Sequence, residues 1–304
     1  MRVAYLHYLK AAASALLLLV TGRAQHLRII SDRELLAGVG GTHVVLDGET
    51  EVVYQLPSNG KPLSGLLFVA HGCGHSANDW FPKSDTCSTC TGLPIELTIV
   101  REALSRNIAV VAVSSNNKQH KCWVQKNDRQ PVINAIKHVY AVAKVSLDTE
   151  TVPLYLFGAS SGGSFIGTFA QEAKTSGIPV SALCVQIIYI KIHRFDESLT
   201  PILFVHMPLE SHTKKMIGTV IEEINGHTPN SASEKLCSRK PLVPTYFNDH
   251  GAVLTVKESE TLVAALTAAG YLTVTKMLAE DPRESPWREV RTVQNCAYEL
   301  SILQ

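Results

Sequence analysis

The run Gly158-Ala159-Ser160-Ser161-Gly162 puts a serine two residues from a glycine on either side. A serine hydroxyl attacks a carbonyl carbon only when a base takes its proton and donors stand ready for the negative oxygen that forms. The surroundings of this run therefore decide its meaning. It is preceded by Val152 to Phe157, an apolar stretch of strand length rich in β-formers, and followed by Phe165, Ile166 and Phe169 at helical spacing. Strand, sharp turn and helix around G-x-S-x-G is the layout of a nucleophile elbow. Glycine is needed there because the backbone passes close to itself, and the serine must hold a strained conformation. Ala159-Ser160-Ser161-Gly162-Gly163 offers a rival register centred on Ser161, and Ser160 is preferred because both of its flanking positions are glycine. A plain Gly/Ser-rich turn between strand and helix is the bland alternative.

One oxyanion donor is expected from the N–H of Ser161, the residue after the nucleophile. The other is expected from the turn after the third strand, where His71-Gly72-Cys73-Gly74 follows the apolar run Leu66 to Ala70. His71 and His75, beside glycines, read as shaping this turn rather than as metal ligands. Cys87-Ser88-Thr89-Cys90 reads as a structural bridge in a loop. A zinc site needs a second ligand pair, and a redox pair belongs at the start of a helix.

The elements that would position these groups alternate along the chain. Val44 to Leu56 brackets Asp47-Gly48 and reads as a hairpin, and Leu66 to Ala70 and Ile108 to Val113 are all-apolar strands. Leu93 to Leu104 and Gln130 to Val145 have helical patterns. After the elbow come strands at Val180 to Ile190 and Ile202 to His206 and a helical stripe from Met216 to Ile224. A last strand is expected at Leu242 to Phe247, and a helix at Lys257 to Ala269. Apolar strands alternating with amphipathic helices predict an α/β protein with a mostly parallel central sheet and helices on both faces.

With these residues in this order the chain resembles the α/β-hydrolase superfamily, over about residues 42 to 270. Within it, His71-Gly72-Cys73 is similar to the oxyanion turn of secreted esterases of the polyhydroxybutyrate-depolymerase and feruloyl-esterase kind. Ser84-Asp85-x-Cys87-x-x-Cys90, with Asp281-Pro282-Arg283 and Trp287-Arg288, resembles a plant and algal branch. The superfamily order of serine, acid, histidine implies Glu210, after the strand Ile202 to His206, as the acid. It implies His250, between the expected last strand and the next helix, as the base. Asp196 and Asp249 are weaker acids by position. Glu210 reads equally well as an exposed helix-start residue, and Asp-His-Gly is an ordinary loop sequence.

The implied activity is cleavage of carboxylic esters through an acyl-enzyme, with Cys73 and Ser161 as oxyanion donors, no cofactor and no metal. The substrate would be a small-molecule or polymer ester. The alternatives are an inactive or truncated hydrolase-fold protein with a binding role, and a peptidase on the same fold.

A net charge of +1 with 18% charged residues over 304 positions gives no basic face for nucleic acid. At the N-terminus, Arg2 and Lys10 precede the apolar run Ala11 to Val20 and the small-residue site Gly22-Arg23-Ala24. This predicts a signal peptide over 1–24, a mature domain over 25–304 and export from the cell, the run being too short for a stable membrane span. Seven cysteines suit an oxidising compartment, and Cys184, inside an apolar run, reads as a buried small hydrophobe.

Overall fold

The computed structural model describes residues 38–147, 152–190, 199–207, 211–236, 241–249, 254–277 and 279. The signal segment, Asp196, Glu210, Cys237, His250 and Cys296 lie outside them. The chain divides into two compact units. One comprises the residues up to His206 with His212–Lys235, and the other Met207–Ser211 with those from Leu236 onward.

The first unit is built on a sheet of eight strands: β1 (Thr42–Leu46), β2 (Thr50–Gln55), β3 (Gly65–Ala70), β4 (Ile108–Val113), β5 (Leu154–Ala159), β6 (Val180–Gln186), β7 (Ile202–His206) and β8 (Ala232–Leu236). Their spatial order is β1-β2-β4-β3-β5-β6-β7-β8. β1 and β2 form the expected hairpin, with Asp47 and Gly48 at φ 53° and 77°, and β2 meets β4 antiparallel. The pairs β3 with β4, β3 with β5, β5 with β6 and β6 with β7 are all parallel. β3, β4 and nearly all of β5 are buried, which is why they read as unbroken apolar runs.

Three helices cover one face: α2 (Gln125–Val142), α3 (Ser161–Thr175) and α4 (Ser211–His227). They bring Val132, Ile136, Val139, Phe165, Phe169, Ile217 and Ile224 into one core with Leu66, Phe68, Leu154, Leu156 and Phe204. Each such side chain contributes roughly 1.5–3 kcal/mol by leaving water. On the opposite face α1 (Pro94–Ser105) packs on β4, and Trp80 of a short 3-10 helix (Ala77–Trp80) stands edge-on to Phe157.

Helix α2 begins at Gln125, before the expected start at Gln130, and ends at Val142 rather than Val145. The carboxylate of Asp128 accepts the N–H of Val124 at 2.6 Å and of Asn116 at 2.7 Å, so it satisfies donors at the helix entry and carries the first turn upstream. Strand β6 ends at Gln186 rather than Ile190, because Ile187 turns to φ 52°.

The second unit contains α5 (Tyr246–Asp249) and α6 (Val256–Ala268), packed around Leu242, Phe247, Val263 and Leu272. The expected strand at Leu242 to Phe247 is not one. Pro244 has no N–H for a ladder, its carbonyl accepts the Ser259 hydroxyl at 2.8 Å, and that hydroxyl accepts the Phe247 N–H at 3.0 Å. Thr255 and Glu258 close α6 with a capping box. The strand that sequence reading missed is β8, whose residues Ala232-Ser-Glu-Lys-Leu are mostly exposed and polar at the sheet edge.

Candidate active site

The spatial order reverses at β3: the next strand in sequence, β4, lies on one side of it, and β5 on the other. Loops leaving β3 and β5 at their C-terminal ends therefore diverge and leave a crevice, which is where open α/β sheets bind ligands. His71-Gly72-Cys73-Gly74 leaves β3, and Ser160 leaves β5.

Ser160 sits between β5 and α3 at φ 51°, ψ −118°, far from the relaxed regions for a residue with a side chain. Its N–H is held by the Gln186 carbonyl at 3.0 Å. The two flanking glycines are required by contact. A Cβ on Gly158 would stand 2.4 Å from the Gly162 carbonyl oxygen, and one on Gly162 would stand 2.3 Å from that of Ala70 and 2.6 Å from that of His71. The rival register fails on access: Ser161 is the first residue of α3, and its Oγ is buried with no hydrogen-bond partner among the described residues. The Ser161 N–H belongs to the unpaired donors of the helix's first turn, beside the positive end of its dipole.

The turn after β3 is held from several sides. His71 is buried, its Nδ1 donates to the Gly72 carbonyl at 2.6 Å, and its Nε2 accepts the Ser115 N–H at 3.0 Å. Both ring nitrogens are thus used, and burial pushes its pKa down to about 4, so it is a neutral strut and not a base. Trp123 Nε1 donates to the His71 carbonyl at 2.7 Å and stacks on Phe165 of α3 with centroids 4.6 Å apart. The Gly74 N–H donates to the His120 carbonyl at 3.1 Å, and a disulfide joins Cys73 to Cys122. The Cys73 N–H meets no acceptor among the described residues. A virtual Cβ on Gly72 lies 3.8 Å from Ser160 Cβ, which sets this turn directly beside the serine.

The same loop carries a pair that sequence reading did not join. His75 Nδ1 lies 3.0 Å from Asp79 Oδ2, and Asp79 also accepts the Ser76 N–H and the Thr91 hydroxyl, both at 3.0 Å. Burial works to raise Asp79, but these hydrogen bonds outweigh it and hold the carboxyl below the usual range. The spacing His-x-x-x-Asp across a short helix entry was the available signal. A second strained residue, Ile187, stands where β6 ends, its N–H on the Val205 carbonyl at 2.8 Å.

Of the remaining sequence candidates, Glu210 and His250 lie outside the described residues, as does Asp196. His206 is fully buried at the end of β7, with Nε2 2.8 Å from Glu234 Oε2. Cys87 and Cys90 form the expected bridge, and Cys184 is buried inside β6, as its apolar run implied. No cluster of metal-binding side chains occurs among the described residues.

A largely parallel sheet covered by helices on both faces, with a serine on a strand-turn-helix elbow above it, defines the α/β-hydrolase fold. No family model matches the chain, and no curated protein matches it. Solved structures similar to it include a thermostable esterase, at TM-score 0.49 and 13% identity over 76% of this chain and 62% of that one. The chain thus spans less than two thirds of that protein's length. Others are esterase 2 of Thermogutta terrifontis, at TM-score 0.48 and 14% identity over 82% and 96%, and a bacterial heroin esterase, at 0.44 and 17% over 79% and 86%.

Proposed function

We propose that the chain is a serine esterase that cleaves carboxylic esters through an acyl-enzyme. Ser160 Oγ attacks the ester carbonyl while its proton passes to His250, which Glu210 orients. The oxyanion is received by the N–H groups of Cys73 and Ser161. The alcohol then leaves with that proton, and water activated by the same histidine releases the acid. The observation that carries this reading is the backbone of Ser160 at φ 51° between two glycines that tolerate no Cβ, beside a turn whose Cys73 N–H is unpaired among the described residues. A strained, over-determined serine next to uncommitted donors has a cost that a mere connecting turn would not carry.

The substrate class is a small-molecule or polymer ester. The His-Gly-Cys turn favours the polyhydroxybutyrate-depolymerase and feruloyl-esterase kind, and the Cys87–Cys90 loop the plant and algal branch. Two disulfides in the first unit suit export from the cell.

The test is labelling with a fluorophosphonate, mapping of the tagged residue, and hydrolysis of a short-chain aryl ester. The expected result is a tag on Ser160 and loss of turnover in Ser160→Ala by several powers of ten, on the order of 4–6 kcal/mol in the barrier. His250→Ala and Glu210→Ala should each lose most of that activity, and the double variant little more, since members of a triad are strongly non-additive. A tag elsewhere, or near wild-type turnover in Ser160→Ala, would refute the assignment.

A further inference from the structure

His75 and Ser160 border one point beside Gly72. The point where a Gly72 Cβ would stand is 3.8 Å from Ser160 Cβ and 3.9 Å from His75 Cδ2. Nδ1 on the far side of the ring is engaged by Asp79, whose carboxylate is itself fixed by the Ser76 N–H and the Thr91 hydroxyl. Asp79 lies in the short helix Ala77–Trp80, which Trp80 anchors against Phe157. The ring is therefore held at one nitrogen, while Nε2, bonded to the Cδ2 that borders the Gly72 point, has no hydrogen-bond partner among the described residues.

We propose that His75 is a third oxyanion donor, its Nε2–H joining the N–H groups of Cys73 and Ser161 at the ester oxygen, an inference that rests on Ser160 being the nucleophile. With an anionic carboxylate on Nδ1 the imidazolium is favoured, and both of its nitrogens are then donors. A charged donor fixed beside the developing negative oxygen acts mainly on the transition state, where the full charge appears. Asp79 thus tunes and orients the ring from behind.

The titratable groups around the ring are Asp79, Glu96, Lys121 and the neighbouring His71, the last of them neutral. The hydrogen bond to Asp79 raises the pKa of His75 against the effect of burial, the charges of Asp79 and Glu96 raise it further, and Lys121 opposes them. The donating form is the protonated one, so the contribution is complete at low pH and is lost as pH rises through this raised value. The base works in its neutral form and gains as pH rises through its own titration. The two requirements together give a bell-shaped profile whose upper limb belongs to His75.

The experiment is the pH dependence of kcat and KM for a short-chain aryl ester in wild type, His75→Leu, His75→Gln and Asp79→Asn, with Ser160→Ala as the floor. His75→Leu should lose kcat by on the order of 100-fold, as for removal of one oxyanion donor. KM should stay within a few-fold, and the upper limb should vanish. His75→Gln, a neutral donor, should recover part of kcat without the limb, and it decides the matter if the leucine variant does not fold. Asp79→Asn should move the limb to lower pH. Wild-type kcat in His75→Leu, or an upper limb that survives in His75→Gln, overturns the inference and leaves the nucleophile standing. Absence of Ser160-dependent turnover in wild type overturns both.

Discussion

His71 and His75 stand four residues apart on one loop and are put to opposite uses. His71 has spent both ring nitrogens on backbone partners inside the protein, and protonation would force it to abandon the Ser115 N–H. Its folded pKa is about 4, below the unfolded value of about 6.5. The unfolded chain therefore binds the extra proton first as pH falls, and stability is complete above about pH 6.5 and lost on the way down to about pH 4. The shift corresponds to about 3 kcal/mol. Thermal unfolding followed between pH 7 and pH 4 should show this loss in wild type, and His71→Asn, less stable at pH 7, should lack that part of the slope. An unchanged slope in the variant would mean that other groups set the acid sensitivity.

At the level of elements, the loop between β4 and α2 acts as the clamp on the turn after β3. Asp128 gathers the N–H groups of Asn116 and Val124 and lies 3.2 Å from the Ser115 hydroxyl, while Cys122 bonds Cys73. Cys73–Cys122 closes a loop of 49 residues and Cys87–Cys90 one of 3, so the chain-entropy argument assigns them about 4 and about 2 kcal/mol. Cys122→Ser should therefore lower the melting temperature and also kcat, since it frees the turn that carries the Cys73 N–H. Cys90→Ser should lower the melting temperature slightly and leave kcat alone. Equal effects on turnover would show that the clamp has no part in activity. The spacing of Cys87 and Cys90 made their bridge legible in the sequence, whereas Cys73–Cys122 was not, because those two cysteines come together only once β3 and β4 lie side by side. The elbow was legible because its requirements are local: a buried strand, two glycines, a helical stripe. β8 was not, because an exposed edge strand carries little of the apolar signal that marked its neighbours, and Leu242 to Phe247 misled because Leu242, Val243, Tyr246 and Phe247 around a proline mimic a strand.

Across the whole molecule, the elbow that carries Ser160 and the turn after β3 come from segments separated by most of two crossover connections, yet their backbones touch. Gly162 would meet the carbonyls of Ala70 and His71 with even one added carbon. The spacing between the Ser160 turn and the turn after β3 is thus set by main chain against main chain. Sequence drift, or a protein engineer, can reshape the walls of the crevice residue by residue. The gauge of the site itself is fixed: a substitution that widens it must first pull two strands of the sheet apart.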